Sequence, residues 1–137
     1  MNQSKSEYYF FVTSLDSLAY FPFNTSCDFQ VELPESIHLT GTWTCALTQI
    51  GFKEEISEDL IVICDLFDSN FVRNTRLPVA RVISQLTNKV ITFDEPYRLG
   101  VSRDEIRRFR VLIRTFDLEK PSFIQKPVTC TFHLRRE

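Results

Sequence analysis

Cys27-Asp28-Phe29-Gln30-Val31-Glu32-Leu33 alternates apolar and polar residues without a break. A period of two sends Cys27, Phe29, Val31 and Leu33 to one face and Asp28, Gln30 and Glu32 to the other. This is the pattern of an antiparallel strand with one dry and one wet face. Two stretches near the other end repeat it. Phe109, Val111 and Ile113 oppose Arg108, Arg110 and Arg114, and Val128, Cys130, Phe132 and Leu134 oppose Thr129, Thr131, His133 and Arg135. Three such segments predict an all-β chain.

Working outward, residues 8–15, 42–52 and 60–67 are apolar on both faces, and 79–84 and 89–93 are shorter strand candidates. Pro22, Pro34, Gly41, Pro78, Asn88, Pro96, Gly100, Pro121 and Pro127 punctuate them. The best helix signal is one turn at Ser102-Arg103-Asp104-Glu105, where Ser102 could cap and Glu105 reach back. Eight short strands with turn signals between them predict an eight-stranded antiparallel β-sandwich, a jelly roll, filling residues 1–137 as one domain. In that topology the strand at 27–33 lies beside 109–115. Asp28 and Glu32 then face Arg110 and Arg114, which accounts for the basic stripe Arg108, Arg110, Arg114 as cross-strand pairing.

The 137 residues are 43% hydrophobic and 25% charged, with a formal charge of −2, so no overall field draws the chain to nucleic acid. Phe is abundant at 13 residues, and only 3 Gly are available for phosphate-cradling loops. The apolar runs are strand-sized, too short to span a membrane as helices. The polar start, Met1 to Glu7, carries no signal-like apolar core, so an intracellular site of synthesis is expected and Asn24-Thr25-Ser26 is not expected to carry glycan. Cys27, Cys45, Cys64 and Cys130 stand singly in apolar runs, as buried free thiols do, without the close pairs of a zinc site.

The inventory for chemistry is thin. His133 sits on a polar strand face, and His38 precedes a Gly-containing turn with no motif around it. Glu54-Glu55 and Glu58-Asp59 lack the spacing of a calcium loop and fit a solvated connection. Trp43 and the Phe-rich strands fit core packing. No catalytic, cofactor-binding or metal-ligating residue is assigned, and no enzyme is expected.

The apolar surface exceeds what one core needs. The first strand carries Tyr8, Phe10 and Val12 on one side and Tyr9, Phe11 and Leu15 on the other. The fourth does the same with Leu60, Val62 and Cys64 against Ile61, Ile63 and Phe67. Either the chain's own loops, 16–26 or 68–78, cover the outer faces, or Tyr9, Phe11, Ile61, Ile63 and Phe67 form a subunit interface.

Several stretches resemble one protein family: Phe10-Phe11-Val12-Thr13-Ser14-Leu15, Tyr20-Phe21-Pro22-Phe23-Asn24-Thr25, Phe29 to Pro34, Ile37 to Trp43 and Ala46 to Ile50. Ile61-Val62-Ile63-Cys64-Asp65, Phe93-Asp94-Glu95-Pro96-Tyr97 and Thr131 to Arg136 continue it in order. The family is that of proteins encoded by adintoviruses, related Maverick/Polinton-type elements and adomaviruses. The chain departs from it in its short length and in the lack of a Gly near Arg73-Asn74. The resemblance implies a single jelly-roll capsid protein of the penton or minor type, a homo-oligomer with a pentamer favoured. Its partners would be other capsid proteins and its location the virion; no membrane is expected, and the charge balance makes nucleic acid an unfavoured partner. Loops 68–77 and 94–103 would add contacts. A ligand- or receptor-binding sandwich, such as a lectin-like or spike-head domain, is the alternative.

Overall fold

Period-two alternation becomes eleven strands in the computed structural model, which describes residues 5–72, 74–84 and 89–137. Arg73 and Asn88, singled out above, and residues 1–4 fall outside these. The strands are β1 (Glu7–Thr13), β2 (Asp28–His38), β3 (Trp43–Gly51), β4 (Leu60–Cys64), β5 (Asn70–Val72), β6 (Thr75–Leu77), β7 (Val79–Ile83), β8 (Val90–Thr92), β9 (Arg98–Gly100), β10 (Glu105–Thr115) and β11 (Thr129–Arg136). One sheet has the order β1-β11-β3-β8, with β9 also on β3, and the other β2-β10-β4-β7; β5 and β6 form a separate ribbon. All pairings are antiparallel. The chain is thus an antiparallel β-sandwich.

The pairings β1–β11, β2–β10, β3–β8/β9 and β4–β7 nest like one long hairpin wound on itself. The expected neighbourhood of 27–33 and 109–115 is present, with Gln30 opposite Arg110 and Glu32 opposite Arg108. Eleven strands rather than eight arise because a sixth main strand splits into β8 and β9 and because the ribbon is added. The helical turn at Ser102 is replaced by extended chain. Val101 N–H donates to the Trp43 carbonyl and Leu39 N–H to that of Asp104, and Glu105 starts β10. Pro34 does not end β2, which runs on to His38 with a register shift against β10 between Ile106 and Arg108. An edge strand tolerates a residue without an N–H, particularly beside a bulge.

The inner faces meet on aromatic rings. Phe109 of β10 stacks on Phe10 of β1 at 5.6 Å and meets Phe132 of β11 edge-on at 5.9 Å, so three rings from two sheets share the centre. Such pairs add about 0.5–1.5 kcal/mol beyond area burial. Trp43 is also core: its ring lies 6.0 Å from Tyr8 and its Nε1–H donates to the Thr40 carbonyl. All four cysteines are buried and free.

Three of the five expected interface residues lie inside the chain. Ile61 and Ile63 point outward from β4 but are buried in a second cluster with Val79, packed by Leu77 and Leu112. Phe67 is buried because β4 stops at Cys64. Asp65 then bonds backbone and side chain to Arg110 of β10, turning Phe67 inward to 6.1 Å from Phe132. Self-coverage is therefore the outcome for the fourth strand. Tyr9 and Phe11 remain exposed, at 51% and 75%.

Two substitutions separate these environments. Ile63→Asp places an unpaired charge in an apolar cluster and is expected to abolish cooperative unfolding. Phe11→Asp should leave the fold intact, within about 0.5 kcal/mol by urea titration of the dilute monomer.

Candidate interaction surface

The outer face of the β1–β11–β3 sheet is built from the odd positions of β1 and β11. Glu7, Tyr9 and Phe11 stand opposite Arg135, His133 and Thr131. Tyr9 stacks on His133 at 4.5 Å and on Phe11 at 6.1 Å. His133 bridges two charges: Arg98 Nη2 lies 2.7 Å from its Nδ1, and Glu7 Oε2 lies 3.3 Å from its Nε2. A guanidinium only donates, so Nδ1 accepts and the neutral ring carries its proton on Nε2, toward Glu7. Arg98 also reaches Thr44 and the His133 carbonyl, and its cross-strand partner in β3 is the buried Ala46. Burial and then the neighbouring Arg135 charge hold the Arg98 pKa below the usual arginine value. This half of the face is knit by polar contacts, and Gln49 donates to Thr92 beside it. The aromatic corner at Tyr9 and Phe11 stands at the sheet's margin.

The connection between β1 and β2 lies along the β2 edge. It exposes Leu15, Leu18, Tyr20 and Phe23, the last at 93%. It is held in place by side-chain bonds to β2. Asn24 Oδ1 accepts from Gln30 N–H, and its Nδ2 donates to the Gln30 and Asp16 carbonyls. Ser17, in the left-handed region at φ 62°, accepts from Glu32 N–H at 2.8 Å. An open cleft of about 620 Å³ lies beside it, lined by Leu15, Leu18, Pro121, Ile124 and Lys120 among others.

The basic stripe lies on the outer face of the other sheet and is matched by the chain's own acids. Arg110 makes a bidentate pair with Asp28 at 2.8 and 2.7 Å, and Arg114 caps the Cys27 and Ile113 carbonyls 4.0 Å from Asp28. Arg107 Nε donates to Glu32 Oε2 at 2.7 Å. Arg108 Nε lies 3.1 Å from Glu32 Oε1 but off the line of its N–H, so that contact is ionic and not a directed hydrogen bond. Glu32 thus pairs with Arg107 and Arg108, and the expected partners Arg110 and Arg114 both turn to Asp28.

The other candidates are structural. Glu54 accepts from the backbone N–H groups of Gln125 and Lys126 and so pins that loop. His38 is exposed, 3.5 Å from Glu105. Among the described residues no group of His, Cys, Asp and Glu could hold a metal. Burial pushes the Cys27 thiol up to about 11 and those of Cys45 and Cys130 up to about 12, and it raises that of Cys64 well above the ordinary value. Four protonated, enclosed thiols are poor nucleophiles.

No family model and no curated protein matches the chain. Among solved structures it is similar to the Drosophila NLP core, whose crystal structure was described for what it shows of pentamer formation and histone binding. Identity is 13%, the match covers 96% of this chain and 98% of that one, and the TM-score is 0.39. A likeness of that size carries no inference about this chain's fold or partners.

The Arg107 hydrogen bond, foremost, holds the Glu32 carboxyl below the usual glutamate value of 4.5. A depressed folded-state value contributes stability above the unfolded value that is lost as pH falls through the folded one. Melting temperatures of wild type and Glu32→Gln should therefore differ at neutral pH and converge on acidification from about pH 5 to pH 3. A gap that stays constant over that range would show that Glu32 acts through shape alone.

Proposed function

We propose that the chain is a viral structural protein, a capsid building block of the penton or minor type, working by self-association and by contact with neighbouring capsid proteins in the virion. The observation that carries this reading is the set of large apolar side chains left exposed on β1 and on the connection that follows it: Tyr9 and Phe11, then Leu15, Leu18, Tyr20 and Phe23. Large apolar side chains gathered in exposed positions on one strand and its connection mark an association site. The wound-hairpin order of the strands, the order of a jelly roll, supports it. So does the resemblance of an ordered run of short motifs to adintovirus and adomavirus proteins.

The mechanism is geometric. A sandwich rigid enough to hold side chains in place presents strand margins and loops to copies of itself, and repeated contacts close or extend an assembly. A penton role calls for a ring of five.

Light scattering coupled to size exclusion, across a hundredfold range of concentration, measures this directly. A pentamer is expected for a penton, with Phe23→Asp shifted toward monomer. A wild type that stays monomeric throughout would contradict self-association, and glycan binding by such a monomer would favour a receptor-binding sandwich instead.

A further inference from the structure

A sandwich of two open sheets has strand edges, and each is a row of N–H and C=O groups that another strand can pair with. Three of the four edges here carry a device that blunts them. The β2 edge is occupied: its outward groups at Asp28, Gln30 and Glu32 bond to Thr25, to the Asn24 amide and to the Ser17 hydroxyl. β7 is five residues long, follows Pro78 and is irregular in register against β4 between Val62 and Ile63. β8 and β9, at the far margin of the first sheet, are three residues each.

The fourth edge, β1, is different. In an antiparallel pair the residues that exchange hydrogen bonds alternate with residues whose backbone groups point away. Ser14 N–H donates to the Val128 carbonyl, and Arg136 N–H to that of Ser6, so the even positions of β1 bond to β11. The groups of Glu7, Tyr9, Phe11 and Thr13 therefore point outward. Thr13 N–H is taken by Asp16 Oδ2 at 2.9 Å. For Glu7, Tyr9 and Phe11 no backbone partner is found among the described residues. An open triad with two flanking aromatic rings lies along the longest unguarded edge.

We propose that β1 pairs antiparallel with β1 of a second copy, across a twofold axis at Tyr9. The occupant follows from three observations. With the other edges of the two main sheets blunted, the open edge that a second copy offers among the described residues is its own β1, and an isologous contact of a patch with itself is a twofold. The free triad is symmetric about Tyr9, so Glu7 meets Phe11 of the partner subunit and Tyr9 meets Tyr9 of the partner subunit, and every outward group finds a partner. Finally, no like charges face each other in this register, while the exposed rings of both copies fall in one cross-strand ladder. The contact goes beyond the capsid reading and stands whether or not the assembly is a shell.

Cysteine cross-linking tests the register. Residues in such a hydrogen-bonded pair have Cα atoms about 5.5 Å apart, within the range a disulfide spans, and the native thiols are enclosed. Tyr9→Cys is expected to form a covalent dimer on mild oxidation. Phe11→Cys is not, because the two copies of residue 11 lie roughly 13 Å apart, four residues along the strand. The double variant Glu7→Cys/Phe11→Cys should cross-link again. Phe11→Pro removes one outward N–H and leaves the β1–β11 ladder intact, so in the Tyr9→Cys background it should keep the far-ultraviolet spectrum and lose the cross-link. Cross-linking of Phe11→Cys with Tyr9→Cys silent would overturn the register. A wild-type oligomer in which Tyr9→Cys stays uncross-linked would overturn the edge contact while leaving self-association standing. A wild type that is monomeric, with Tyr9→Cys silent, would overturn both.

Discussion

Everything else in the sandwich hangs on how Phe109 lies between Phe10 and Phe132. One ring from β10 meets two from β1 and β11, stacked on one and edge-on to the other, and so fixes the spacing and the relative slide of the two sheets. Rings bury much area in few rotamers, which makes them effective in a core only two side chains deep. Phe67 joins them once the chain has turned at Asp65. With even positions of β1 committed to this centre, the period of two leaves Tyr9 and Phe11 no choice but the outside.

The two outer faces then receive different treatment. On the β2–β10 face, acids and arginines alternate across strands, and Asp28 and Glu32 between them engage four guanidinium groups. The Asp28 pairs are partly exposed and individually weak, whereas the Glu32 carboxylate is enclosed by its two arginines; together they specify register and leave little unmatched charge. On the β1–β11–β3 face, Arg98, His133 and Glu7 form a polar lattice that stops at Tyr9. The association surface is thus what remains when core packing and charge pairing are complete: a margin of aromatic side chains beside an open strand edge.

Much of this was legible in the sequence. Strict alternation at 27–33, 109–113 and 128–135 named three strands and their buried faces, and the Asp28–Arg110 pair could be anticipated because charge and hydrophobicity gave the same neighbours. Among the three-residue strands, β8 was legible at 89–93, while β9 and the β5–β6 ribbon are too short for a period to show. Ile61 and Ile63 read as interface because a strand apolar on both sides looks the same whether Leu77 or another subunit covers it. Phe67 was misplaced by one turn at Asp65, which depends on Arg110, distant in sequence. Arg98 went unnoticed for the same reason, as its partner His133 belongs to another strand. The openness of β1 is a property of topology: it emerges when β2, β7, β8 and β9 are seen to be guarded and β1 is not.

Amide hydrogen exchange of β1, followed residue by residue against protein concentration, tests the central claim most directly. Tyr8, Phe10 and Val12 are expected to be protected at every concentration, because their amides bond to β11. Tyr9 and Phe11 are expected to exchange rapidly when dilute and to become protected as copies associate. Rapid exchange of Tyr9 and Phe11 in a fully associated sample would contradict that claim, and would move the contact from the strand edge to the loops.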